Sequence, residues 1–116
     1  MWNVDFYRTN DGIAPVEEFL EGLNIKMRAK ALHELNILQQ FGITLREPHS
    51  KPIKDGIFEL RIKLGSDISR IFYFFRVGNK IILTNGFIKK ANKTPKSEIQ
   101  KALKYKADYE RRYENE

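Results

Sequence analysis

The chain has 116 residues and no cysteine. That absence excludes disulfides, thiolate zinc sites, iron–sulfur clusters and a cysteine nucleophile, and it fits a reducing compartment. Long apolar runs are missing too. The longest uninterrupted one is Ile71 to Phe75, far short of the ~20 residues that a membrane helix requires, so no membrane association is expected. The first residues, Met1-Trp2-Asn3-Val4-Asp5, show neither the basic stretch nor the apolar core of a signal peptide, and a cytoplasmic location is expected. Histidine is scarce. His33 and His49 stand on different segments with no Asp or Cys at ligand spacing, so neither a metal nor a cofactor is expected. Hydrophobic residues make up 41% and charged residues 31%, which is too apolar for disorder. A chain of this length forms one domain, residues 1–116, and buries enough surface to need no covalent or metal staple.

Charge is present in excess and unevenly placed. Lys plus Arg is 21 against 15 Asp plus Glu, a net +6. Residues 1–45 carry four basic and six acidic groups; residues 46–88 carry eight and four; residues 89–116 carry nine and five. The whole positive excess therefore lies after residue 45. Such a basic half suits a polyanionic partner such as nucleic acid. A solvated lysine-rich face that maintains solubility accounts for the same excess.

Hydrophobic periodicity predicts an α+β domain. Trp2, Val4 and Phe6 alternate with polar neighbours as in a strand with one buried face. Pro15 suits the first turn of a short helix. A second helix is expected from Ile25 to Phe41, with Ile25, Leu32, Leu35 and Leu38 as its apolar stripe and Gly42 as its stop. Residues 43–56, with Pro48, Pro52 and Gly56, are expected to form a polar loop. Three strands follow, at Ile57 to Leu64, Ser69 to Val77 and Ile81 to Phe87, with Gly78-Asn79 as a hairpin turn. Thr94 and Pro95 suit the N-cap and first position of a last helix running toward Tyr113. The expected order is β-α-α-β-β-β-α, a mainly antiparallel sheet with helices on one side.

Period 2 places Glu59, Arg61 and Lys63 on the face of their strand opposite Phe58, Leu60, Ile62 and Leu64. If Arg70 leaves its strand on that face, three cations and one carboxylate share a patch, which Lys89, Lys90 and Lys93 can close from one end. Arginines can grip the non-bridging oxygens of a phosphodiester, and cations aimed at a developing dianion stabilise its transition state. Glu59, or a lysine depressed by cationic neighbours, can take the proton of a ribose 2′-hydroxyl. An exposed strand face laced with Glu–Arg pairs accounts for the same pattern. His49 could approach the patch if its loop folds over the sheet. Phe72 to Phe75 put rings on both faces of one strand, a core pattern before a base-stacking one. Tyr105, Tyr109 and Tyr113 recur every four residues as a docking stripe of a helix.

Three stretches carry a resemblance. They are Lys54-Asp55-Gly56-Ile57-Phe58-Glu59-Leu60-Arg61, Ser69-Arg70-Ile71-Phe72-Tyr73-Phe74, and Asn85-Gly86-Phe87-Ile88-Lys89-Lys90 running on to Lys93-Thr94-Pro95. In order and spacing they resemble the HigB-type, phage-related branch of the RelE/ParE toxin superfamily, and the resemblance covers nearly the whole chain. It implies a RelE-like fold with a helix pair packed on a twisted, mainly antiparallel sheet. It implies an mRNA interferase, the toxin of a type II toxin–antitoxin system, acting on messages in the ribosomal A site. The implied chemistry is metal-independent attack of a 2′-hydroxyl on the adjacent phosphate. Arg61, Arg70, Lys89 and Lys90 match the family's basic site positions, and Glu59 stands where the RelE branch is often basic. Lys54, Lys63 and Lys93 are the expected further RNA contacts. The implied partners are a HigA-like antitoxin with a helix-turn-helix domain, mRNA, 16S rRNA, and operator DNA only through the antitoxin. ParE-like gyrase poisons share the fold, and a non-catalytic RNA- or ribosome-binding module remains a third alternative.

Overall fold

The computed structural model describes residues 1–89 and 94–113. The elements in chain order are β1 (Asn3–Phe6), α1 (Pro15–Gly22), α2 (Ile25–Phe41), a 3-10 turn (Gly42–Thr44), β2 (Ser50–Lys54), β3 (Ile57–Leu64), β4 (Asp67–Arg76), β5 (Lys80–Ile88) and α3 (Lys96–Tyr113). They build an α+β domain around one five-stranded sheet ordered β1-β5-β4-β3-β2. β1 runs parallel to β5, and every other pairing is antiparallel.

The expected order lacks one strand. Ser50–Lys54, expected as loop, is β2, an edge strand paired to β3 with an irregularity between Pro52 and Lys54. Pro52 has no N–H to give to a ladder, so it reads as a loop residue. An edge strand tolerates it, because one side of the strand needs no donor. The helices also differ from expectation in covering both faces of the sheet. Leu60, Ile62, Ile71, Tyr73, Ile81 and Leu83 pack against Val16, Leu20, Met27, Ala31, Leu35 and Leu38 of α1 and α2. On the opposite face Ile57, Phe72, Phe74, Ile82 and Phe87 pack with Tyr7 and with Ala102 and Tyr109 of α3. The consecutive aromatic residues of β4 need both layers. Burying rings on alternate sides of a strand requires cover on each side.

Local chemistry explains the helix ends. Asn24 caps α2 by accepting from the Met27 N–H at 2.8 Å, and Pro15 opens α1. Gly42 terminates α2 at φ 51°, in the left-handed region that glycine tolerates, and Trp2 occupies the space a side chain there would take. The buried stripe of α2 is the expected one only in part: Leu35 and Leu38 are buried as expected. Ile25 is 82% and Leu32 53% exposed, whereas Met27, Ala31, Glu34, Leu35 and Leu38 face the sheet. Fully buried Ala31 lies in the stripe that packs on the sheet between Met27 and Leu35. Thr94 is likewise diverted from the expected cap. The helix starts at Lys96, with Glu98 and Ile99 N–H groups bonded to the Pro95 carbonyl, and the Thr94 hydroxyl points elsewhere.

Candidate active site

A cleft of about 400 Å³ is lined by Glu47, Pro48, Ser50, Lys51, Glu59, Arg61 and Arg70. Antiparallel pairing of β3 with β4 sets Arg61 directly opposite Arg70. Like charges in that register repel, so the arrangement requires negative charge nearby. Glu59, one pleat away on β3, supplies part of it. Arg70 Nη1 donates to Glu59 Oε2 at 2.8 Å, and both side chains are buried. The Thr94 hydroxyl donates to Glu59 Oε1 at 3.2 Å, and Lys51 Nζ stands 4.0 Å from Oε2.

One carboxylate does not satisfy the cations around it. The buried Nε atoms of Arg61 and Arg70 have no hydrogen-bond partner among the described residues, nor has the Ser69 hydroxyl. Arg61 makes no ion pair with any described carboxylate. Buried guanidinium donors left unpaired are costly, and the cations around the cleft favour an anion in it. Burial lowers the pKa of Arg70 below the ordinary value, Glu59 opposes that and Arg61 adds to it; the group stays charged at any physiological pH. Lys89 stands at the end of β5, its N–H bonded to the Ile68 carbonyl at 2.9 Å. Burial lowers its pKa first, then the positive charge of Arg70, with smaller contributions from Lys51 and Arg61. Glu59 pulls the other way.

Of the expected site residues, Glu59, Arg61 and Arg70 line one cleft, and Lys89 is within their electrostatic reach. Lys63 does not line that cleft. It borders a second cavity with Lys30, Glu34, Pro48, His49, Arg61 and Gly65. Lys54 is exposed at the far end of β2, next to the turn into β3, and lines neither cavity. Lys90 and Lys93 lie outside the described residues. His33 is exposed on α2. His49 Nδ1 pairs with Glu34 Oε2 at 3.0 Å, and His49 lines the second cavity rather than the first cleft.

Ser50, Lys51, Pro48, Glu47 and Thr94 were not visible as site residues in the sequence. The first four belong to the segment expected as loop, and only the pairing of Ser50 with Leu60 and Lys51 with Glu59 brings them to the sheet. Ser50 is further fixed by a short hydrogen bond to the Tyr73 hydroxyl. A basic residue between two prolines was the one faint signal for Lys51. Thr94 gave none, because a Thr-Pro pair already had an explanation as a cap. Among the described residues no three His, Asp or Glu side chains are grouped to hold a metal ion, and no helix is long and apolar enough to cross a membrane.

Comparison with known proteins gives one family match. Curated proteins gave no match. The family model described as "Phage derived protein Gp49-like (DUF891)" matches residues 18–107, a span that runs from α1 into α3 and contains every described cleft residue. A match over more than three quarters of the chain shows membership: the chain belongs to the Gp49-like family of phage-derived proteins, a family of the RelE/HigB-type toxin group.

Proposed function

We propose that this protein is the toxin of a toxin–antitoxin pair and acts as a ribosome-dependent mRNA endoribonuclease. The observation that carries the proposal is the opposed pair Arg61 and Arg70, whose buried Nε atoms lack partners among the described residues at the floor of an open cleft. Two guanidinium groups so placed suit the non-bridging oxygens of a phosphodiester. As a ribose 2′-hydroxyl attacks the adjacent phosphate, charge builds on those oxygens, and donors already in position stabilise it without reorganisation. Glu59 orients Arg70 and accepts the proton of the 2′-hydroxyl. Lys89, more acidic than an ordinary lysine, gives its proton to the departing 5′-oxygen. The P–O5′ bond breaks as the O2′–P bond forms, leaving a 2′,3′-cyclic phosphate and a 5′-hydroxyl. Net charge +6 supports contact with ribosomal RNA as well as with the message. The expected antitoxin partner, HigA-like with a helix-turn-helix domain, belongs to this same proposal.

The test is mapping of RNA 5′ ends on a translated reporter after brief induction in cells lacking the antitoxin, with Arg61→Ala beside wild type. Arg61 is the cleaner probe than Arg70, because its removal leaves no buried carboxylate unpaired. New ends inside translated codons that vanish in Arg61→Ala support the proposal. Growth arrest without new ends would move the assignment to gyrase poisoning. Binding of ribosomes or RNA without arrest would leave a non-catalytic module.

A further inference from the structure

A second cavity, of about 380 Å³, borders the first and shares Arg61 and Pro48 with it. It lies where β3 outruns its neighbour. β2 pairs with β3 only as far as Leu60, and the Arg61 N–H bonds instead to the His49 carbonyl at 2.8 Å. From there to Leu64 no described strand pairs with β3 on that side, and Lys30 and Glu34 of α2 line the cavity. The walls carry three cations (Lys30, Arg61 and Lys63) against one carboxylate, Glu34. The first cleft carries Lys51, Arg61 and Arg70 against two, Glu47 and Glu59. The second cavity is therefore at least as positive as the first.

Its one carboxylate is also already in use. Glu34 is buried, accepts from or pairs with His49 Nδ1 at 3.0 Å, and has Lys30 Nζ 3.8 Å away. It holds those two side chains as walls, and Lys63, exposed on β3, makes no ion pair with any described carboxylate. Arg61 and Lys63 are two residues apart on one face of a strand, a repeat of about 6.8 Å, comparable with the separation of successive phosphates in a single strand. The volume is in the range of cavities that hold small ligands, which is room for one nucleotide.

We propose that this cavity is a subsite for the nucleotide next to the scissile phosphate, with Lys63 and Lys30 binding the neighbouring phosphate and Arg61 joining the two sites. The ligand class is single-stranded RNA running over this edge of β3 from the first cleft toward α2. The inference rests on the nuclease reading for the identity of the first cleft, and its test is a binding measurement that needs no cleavage.

The probe is a fluorescent seven-nucleotide RNA with 2′-O-methyl groups, which cannot be cut. Its affinity is measured by anisotropy at several salt concentrations for wild type, Lys30→Gln, Lys63→Gln and Lys104→Gln, each checked for unaltered thermal unfolding. Lys104 is exposed on α3 and lines neither cavity. Removing one cation that neutralises a phosphate of a single strand lowers the slope of log affinity against log salt by about 0.7. That drop is expected for Lys63→Gln and for Lys30→Gln, and no drop for Lys104→Gln. Unchanged slopes in both variants, with intact wild-type binding, overturn the subsite while leaving the nuclease proposal standing. Reduced slopes in a protein that produces no new RNA ends in cells leave the cavity as an RNA-binding site but overturn its place beside a scissile phosphate, together with the nuclease. Failure of wild type to bind the probe at any salt overturns the subsite.

Discussion

Replacing Glu59 by glutamine keeps the shape of the cleft floor and removes its one fully buried negative charge. Arg70 and Glu59 sit 2.8 Å apart with side chains 7% and 0% exposed. At an effective dielectric of about 20 their attraction is about 6 kcal/mol, most of which offsets the desolvation of the two groups. Removing one partner leaves the desolvation of the other uncompensated, an effect of about 3–5 kcal/mol in buried pairs. Here the lower end applies, since the cleft admits water and the amide oxygen of the substituted side chain still accepts a hydrogen bond from Arg70. A loss of about 3 kcal/mol is a large share of the ~5–15 kcal/mol typical of a domain. It corresponds to a fall in melting temperature of roughly 12 °C at this chain length. Circular dichroism melts of purified protein measure it. Two companion measurements separate charge from packing. Glu59→Leu combined with Arg70→Met should melt well above Glu59→Gln, because an apolar pair leaves no orphaned charge. Inorganic phosphate should raise the melting temperature of Glu59→Gln more than that of wild type, since an anion replaces the missing carboxylate. A Glu59→Gln protein within about 0.5 kcal/mol of wild type, the range of ordinary surface changes, would refute the view of Glu59 as the counter-charge of Arg70.

Arg61→Ala should cost ~10²–10³ in cleavage rate with little loss of stability, checked by single-turnover cleavage on programmed ribosomes beside a melt; a folded, fully active variant would remove Arg61 from the site. Cleavage should fall with rising pH below the ordinary lysine range, because Lys89 must be protonated to act as the acid and its pKa is lowered; Lys89→Met should abolish that limb of the profile. Tyr7, buried and donating to Asp108 at 2.6 Å, and Tyr73, buried beside Ser50, are each pushed up to about 12. A raised phenol pKa contributes stability that is complete below the ordinary value near 10 and is lost as pH rises through 12, so alkaline titration should show two late phenolate transitions coincident with unfolding. Asn24→Ala should lower stability by about 1 kcal/mol through loss of the α2 cap, measured by urea denaturation.

Much of this architecture is legible in one dimension because it depends on near neighbours. Alternation assigns β3, the ring-rich run assigns β4 to the interior, Gly78-Asn79 places a hairpin, and Gly42 stops α2, each through local backbone geometry. The basic character of the site is legible for the same reason: Glu59 and Arg61 share a face by the period of a strand. The rest depended on partners distant in the chain. Pro52 hid β2 until pairing with β3 revealed it, and with it Ser50 and Lys51. Ile25 and Leu32 had the hydrophobicity of core residues, but α2 packs through Met27, Ala31, Leu35 and Leu38 and leaves them in solvent. Thr94 had the chemistry of a cap and was recruited instead by a carboxylate 35 residues earlier. Whether Arg70 would face Arg61, and whether their Nε atoms would find partners, could be settled only by the register between two strands, because a one-residue slip would have sent Arg70 to the opposite side of the sheet.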